Sequence, residues 1–290
     1  MYKIIERTKL WFAISIIIIL IGTGFMVTKG LNWGIDFKGG TIVQVNMDKG
    51  FDKTAADVII QKYAKDATSV VLNGKVLSIK STELTVAKTS AMFKELKEKF
   101  KLKDTGVASQ SSVEPSLGKH LRNNAIMSVV FANVLILLYI GWRFEFKFGI
   151  AAIISLLHDV LITLSFYAIF NIPIDTAFIA AILTVLGYSI NDTIVVFDRI
   201  RENQKFMRGF SDTEISNASI TQTFRRSIFT VLTVVITLAS VYIFVEPIRT
   251  FSKPLLVGII SGCYSSIFIA TPIWVILKNR ASKKVVTKKI

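Results

Sequence analysis

Cysteine is nearly absent from this 290-residue chain: the single one, Cys263, sits inside an apolar run. That excludes an intrachain disulfide and any CxxC metal or redox site, leaving a buried, inert thiol. No Walker A motif, Gly-rich loop opening a helix, HExxH or nucleophile elbow occurs, which argues against ATP-driven or covalent catalysis. Acid is scarce as well, with 20 Asp and Glu against 35 Lys and Arg and a formal net charge of +15. In a soluble domain such an excess would raise nucleic acid as a partner, but no recognition motif accompanies it. Much of the positive charge instead lies in short tails and loops beside apolar runs, where Lys and Arg hold loops on the cytoplasmic side and meet anionic membrane lipids.

What the chain has in quantity is apolar sequence: 52% of its residues are hydrophobic, gathered in runs of roughly 18 to 24, the length that crosses a bilayer. The runs are Leu10 to Val27, Ala125 to Gly141, Phe148 to Phe170, Thr176 to Val196, Ile228 to Val245 and Leu255 to Leu277. They predict a polytopic α-helical membrane protein with six transmembrane helices. The first run is long for a signal peptide and lacks a small-residue cleavage site, so it reads as an uncleaved helix. An even number of spans puts both termini on one side. The segments on that side (MYKIIERTK, WRFEFK, Asp198 to Arg226 and KNRASKKVVTKKI) are basic, whereas NIPID and EPIRTFSKP carry little positive charge. The termini are therefore expected in the cytoplasm and the long first loop outside the cell membrane. Four regions follow: residues 1–27, the N-terminus and first helix; 28–123, an extracytoplasmic α/β domain; 124–278, a five-helix bundle; and 279–290, a basic tail.

Within the long loop, Gly34 to Met47 ends in a strand-like alternation, and Ala55, Val58, Ile59 and Lys62 to Tyr63 recur at helical spacing. VVLNGKVLSI is a hairpin signal, because Asn73 and Gly74 accept the positive φ of a type I′ turn. Val86, Phe93, Leu96 and Phe100 mark a second amphipathic helix, and TGVASQSSV supplies a last strand. Strand, helix, two strands, helix, strand is the order of an α+β ferredoxin-like domain, which by itself implies no chemistry.

Charge inside the spans is where function is expected. Asp192 stands about two turns before the first Arg of its run, on the order of 10 Å inside the membrane boundary. An ionised group at that depth costs a few kcal/mol or more unless paired, hydrated or protonated, so its default reading is an ion or proton pathway. Ala177, Ala181, Thr184, Tyr188 and Asn191 form a small or polar stripe beside it, with Gly187 near the edge, a face suited to close helix contact. Arg226, at the start of the fifth span, lies within snorkelling reach and is a fixed charge that the carboxylate can engage when ionised. One of Arg225 and Arg226 reads as a membrane-boundary anchor. Asp159, near the middle of the third span, has two readings, a proton relay or a hydrogen bond gluing helices together; His158 beside it has the same two. Asp198 reads as a solvated surface ion pair.

The motifs GIDFKGGT (34–41), EPSLGKHLRNNA (114–125), SLLHDV (155–160), GYSINDTIVVFDRIREN (187–203) and SITQTFRRS (219–227) resemble those of the SecF family, the protein-export membrane proteins of the bacterial Sec system and relatives of the RND transporters. The family's pattern has Gly before Pro-Ser where this chain has Glu114. The resemblance covers nearly the whole chain and implies pairing with SecD into a twelve-helix unit beside the SecYEG channel, with YajC and YidC as further candidate partners. It implies use of the proton gradient to assist late export of a preprotein, without covalent chemistry, cofactor or metal, protons being the coupling ion. By motif, the family's proton-linked Asp and Arg fall on Asp192 and Arg226, with Asn191, Asp159 and His158 as companions; Asp36, Phe37, Gly39, Gly40 and Gly187 are motif residues. Half of an RND-type exporter of small molecules or lipids, and a purely structural assembly factor, are the alternatives.

Overall fold

The computed structural model describes residues 2–47, 50–72, 74–102, 107–113 and 115–287. Along the chain run α1 (Thr8–Lys29), α2 (Ile35–Lys38), β1 (Gly40–Asn46), α3 (Lys53–Tyr63), β2 (Thr68–Leu72), β3 (Val76–Ser81), α4 (Val86–Phe100) and β4 (Val107–Val113). Then come α5 (Pro115–Arg143), α6 (Phe146–Ile169), α7 (Thr176–Phe206), α8 (Asp212–Phe244), α9 (Arg249–Ser265) and α10 (Thr271–Thr287). Two compact units result, one of residues 33–126 with 173–176, the other of residues 1–32, 127–172 and 177–290.

The first unit is an antiparallel sheet in the order β2-β3-β1-β4, the ferredoxin-like arrangement expected from the element order. Alternation decides its core. Val43 and Val45 on β1 face the same side as their partners Ile79 and Leu77 on β3, and α3 and α4 cover that side with Ile59, Ile60, Met92 and Leu96. Asp52 caps α3 by accepting from the N–H groups of Thr54 and Ala55, and Thr85 caps α4 through Lys88. The buried faces of both helices are rotated from those read in the sequence. Ala56, Ile59 and Ile60 are buried on α3, not the row through Ala55 and Val58, and Val58 is 58% exposed. Val86 is 71% exposed because it is the first helical residue after the cap, while Thr89 and Met92 turn inward. Lys62 of α3 bonds Glu95 of α4, and that bond first, with a second from Tyr63, holds the Glu95 carboxyl below its ordinary range. Gly74 takes a left-handed φ of 66°, as a tight turn requires; Asn73 and Glu114 lie outside the described residues.

Among the described residues six helices are long and apolar enough to cross a membrane, most of their length in the second unit, and the protein is a multi-pass membrane protein. The spans through α6, α7 and α9–α10 form the inside of the bundle, with α1, α5 and α8 around them. A π-helical turn, Ser266–Ala270, joins α9 to α10 within one span. Helix α1 lies against α6 at Gly22, where an added Cβ would stand 2.1 Å from that of Ser165. Toward one end Phe148 stacks on Trp274 at 4.8 Å and tilts against Phe197 at 4.7 Å, fixing α6, α7 and α10 together.

Candidate functional site

Two aspartates sit inside this bundle, and their surroundings differ in kind. Asp159 of α6 is fully buried. Its Oδ1 accepts from Ser261 Oγ at 2.7 Å and faces His158 Nδ1 at 3.1 Å; its Oδ2 accepts from Ser189 Oγ at 2.6 Å and Ser265 Oγ at 2.8 Å. Each oxygen thus has two partners, so the carboxyl group's acceptor positions are filled. His158 fits this shell with its proton on Nδ1, leaving Nε2 to accept from Ser15 Oγ at 2.8 Å. Its ring stacks on Tyr264 at 5.9 Å, and the Tyr264 hydroxyl donates to the Trp11 carbonyl at 2.7 Å. The network therefore stitches α1, α6, α7 and α9 together. Of the two readings open for Asp159 and His158, interhelical packing is the one this geometry fits.

Asp192 of α7 is only half satisfied. Ser227 of α8 donates to Oδ1 at 2.6 Å, while Oδ2 is buried without a hydrogen-bond partner. Asp192 lines a cavity of about 60 Å³ between α7, α8 and α9, shared with Asn191, Tyr188, Arg226 and Thr230. That is room for a few waters. Arg226 shares the cavity wall, and among the described residues no hydrogen bond or ion pair joins it to the carboxylate. Arg225 instead lays its guanidinium over Phe229 at 5.3 Å, so of the two arginines Arg226 is the one at the cavity.

The stripe beside Asp192 divides. Ala181 packs on Leu255 and Ile259, whereas Tyr188 and Asn191 are exposed along the helix. Gly187 meets nothing within 4 Å, so the close approach expected there is made elsewhere. Gly258 of α9 lies against Val185, and Gly262 against Ser189. Ser189 connects the two aspartates: its hydroxyl serves Asp159 while the residue lines the Asp192 cavity. Asp198 stands 3.9 Å from Arg143 with both side chains about half exposed, a surface pair. Sequence reasoning missed Ser189, Ser227, Ser261 and Ser265. The one available signal was the i, i+4 spacing of Ser261 and Ser265, which puts two hydroxyls on one face of an apolar helix.

The GIDFKGGT motif lies in the α/β unit. Asp36 Oδ2 accepts from the Thr176 N–H at 3.0 Å and the Thr176 hydroxyl at 2.7 Å, and Gly34 N–H donates to the Ile174 carbonyl at 2.7 Å. Phe37 is buried, edge-on to Trp33 at 5.6 Å. Gly39 and Gly40 take φ of 81° and 149°, and a Cβ on Gly40 would lie 2.6 Å from the Ser81 carbonyl oxygen, so glycine is required where α2 turns into β1. Among the described residues no three His, Cys, Asp or Glu side chains converge as a metal site would need.

A bundle that saturates one buried carboxylate and leaves an oxygen of another unpartnered beside a cavity is a membrane-helix bundle with charge in its interior. Comparison with known proteins places it further. The model of the SecD/SecF C-terminal region of protein export membrane proteins matches residues 92–280, and that of the SecD/SecF GG motif matches residues 24–50. The chain belongs to the SecD/SecF family. It is 37% identical to the protein translocase subunit SecF of Sebaldella termitidis, covering 96% of this chain and 92% of that one. It is 39% identical to the subunit SecDF of Bacillus subtilis over 96% of this chain, but spans 38% of that longer protein. The crystal structure of SecDF from Thermus thermophilus, a translocon-associated membrane protein, superimposes with a TM-score of 0.82 at 32% identity, over 96% of this chain and 39% of that one.

Proposed function

We propose that this chain is a subunit of the Sec protein translocase that pairs with SecD and uses the proton gradient to assist export of a preprotein through SecYEG. The unpartnered Oδ2 of Asp192, a residue on the wall of a cavity that Arg226 also lines, carries the reading. A proton can settle on that oxygen with Ser227 still bonded to the other. When the carboxylate is ionised, the Arg226 guanidinium is drawn across the cavity; when it is neutral, that attraction is gone and α7, α8 and α9 relax around the space. Asn191 at the cavity rim offers a hydrogen-bonding group to entering water. Asp159 and His158 hold the frame against which this change occurs.

Pairing with SecD draws support from the exposed Tyr188 and Asn191 on α7, beside Thr233 and Thr237 on α8. Polar side chains facing lipid are poorly placed, and a second set of helices would cover them. Residues 33–126 would lie outside the bacterial cytoplasmic membrane, where the emerging preprotein passes, and both termini inside it. YajC and YidC remain further partners to test, and no covalent chemistry is assigned to the chain.

The test is preprotein import into inverted membrane vesicles whose one SecF-type chain is this protein, with and without an imposed proton gradient. Asp192→Asn keeps the Ser227 bond and the side-chain volume but removes the proton site. It should assemble normally and lose most of the gradient stimulation; stimulation equal to that of the parent chain would refute the assignment.

A further inference from the structure

The GIDFKGGT motif is the one sequence feature that the proton site leaves unused. Its placement is informative, because while Gly40 and Thr41 belong to the sheet, the residues before them reach the starts of two long helices. Asp36 accepts both the N–H and the hydroxyl of Thr176, the first residue of α7. Trp33 and Gly34 pair with Ile174 through a parallel bridge and the Gly34 hydrogen bond. A side chain at position 34 would press to 2.9 Å from the Ile174 carbonyl oxygen, so glycine is what lets the two backbones meet. On the other side of α2, a Cβ on Gly118 in the first turn of α5 would come within 2.7 Å of the Phe37 carbonyl oxygen, and the Arg122 guanidinium lies over the Trp33 ring at 5.6 Å.

As a result, residues 173–176 cluster with the α/β unit although α7 continues unbroken to Phe206. Asp192 lies sixteen residues beyond Thr176 on that helix, about 24 Å along its axis. An α-helix is stiff along its axis, so a displacement at the carboxylate is delivered at the first turn if that turn is held. We infer that the GIDFKGGT motif is a coupling clamp, and that Asp36 is the positioning residue through which movement of the Asp192 helix is passed to the α/β domain. The inference rests on the reading of Asp192 as the proton site. It gives the motif's residues separate tasks: Asp36 grips α7, Gly34 and Gly118 permit the close approach of backbone, and Gly39 and Gly40 turn the chain directly into β1.

Three variants test it in the vesicle assay, each at matched membrane levels. Asp36→Ala removes the cap, and a cap of this kind is worth roughly fivefold in the equilibrium of the first turn. It should lower gradient-stimulated export by at least about that factor while export without a gradient is unchanged. Asp36→Asn retains an acceptor oxygen and should keep most of the stimulation. The double variant Asp36→Cys with Thr176→Cys replaces the grip by a reversible covalent bond. Oxidised, it should regain stimulation; reduced, it should match Asp36→Ala, and this comparison within one protein serves even if Asp36→Ala fails to accumulate. Full stimulation in Asp36→Ala, or no difference between the oxidised and reduced forms of the double variant once the disulfide is verified by gel mobility, would overturn the clamp. Asp192→Asn is run in parallel. If it loses stimulation while Asp36→Ala does not, the clamp alone is wrong; if it keeps stimulation, the proton-site reading falls first.

Discussion

Replacing Asp159 by Ala should unfold the bundle more easily without resembling loss of a proton site. The carboxylate accepts from Ser189, Ser261 and Ser265 and faces His158, so the variant orphans three hydroxyls and a ring N–H in a fully buried place. Interhelical hydrogen bonds in membrane proteins contribute about 0.6 kcal/mol on average and up to about 1.7, which for three serines gives about 2 to 5 kcal/mol. Ser265 recovers part of this, since its hydroxyl also reaches the Gly262 carbonyl at 3.2 Å. The expected loss is therefore about 2 to 4 kcal/mol, or a fall of roughly 5 to 15 °C in midpoint. Asp159→Asn keeps one oxygen for two of the donors, and the remaining serine hydroxyls can turn to accept from its amide; it should cost about 1 kcal/mol. Asp192→Asn, which disturbs at most the Ser227 bond, should cost about 0.5 kcal/mol. Unfolding in mild detergent under SDS titration, followed by tryptophan fluorescence, measures all three. If Asp159→Ala unfolds within about 0.5 kcal/mol of the parent and yet loses gradient stimulation as Asp192→Asn does, the division between a packing aspartate and a working one is wrong.

Orientation is checked by labelling intact cells with a membrane-impermeant thiol reagent, the parent chain with its half-buried Cys263 giving the baseline. Lys94→Cys, exposed on α4, should react, and Arg208→Cys, exposed between α7 and α8, should not; the reverse pattern would invert the topology. Two glycines on α1 form a matched pair for helix packing. A Cβ at Gly22 would fall 2.1 Å from that of Ser165 and 2.5 Å from its Cα, whereas Gly24 has nothing within 4 Å. Gly22→Ala should lose about 1 to 3 kcal/mol in the SDS titration while Gly24→Ala is neutral or slightly stabilised; equal effects would mean that α1 does not pack where the structure puts it.

The six spans and the ferredoxin-like order are legible in the sequence because each rests on a short-range pattern: an apolar run of bilayer length, or alternation along a strand. The faces of α3 and α4 are legible only approximately. With Val58 among the apolar residues of α3 and Val86 among those of α4, each helix offers a broad stripe, and the choice within it falls to packing against Leu77 and Ile79, which no local pattern encodes. The grip of Asp36 on Thr176 is invisible in the sequence for a plainer reason, since the partners stand 140 residues apart.

The two aspartates show what depth in the membrane can and cannot decide. Burial alone would select Asp159, the more deeply enclosed of the two, as the unusual charge. Yet a buried carboxylate is costly only to the extent that it lacks donors, and Asp159 draws them from α7 and α9, at separations of 30, 102 and 106 residues. Asp192 draws one, from Ser227, and keeps an oxygen free beside a cavity that holds a fixed cation on its wall. The two carboxylates thus differ in the number of donors around each. That number is a property of the packed helices, which is why SLLHDV and GYSIND, each with one Asp in an apolar run, surround that Asp so differently in the folded chain.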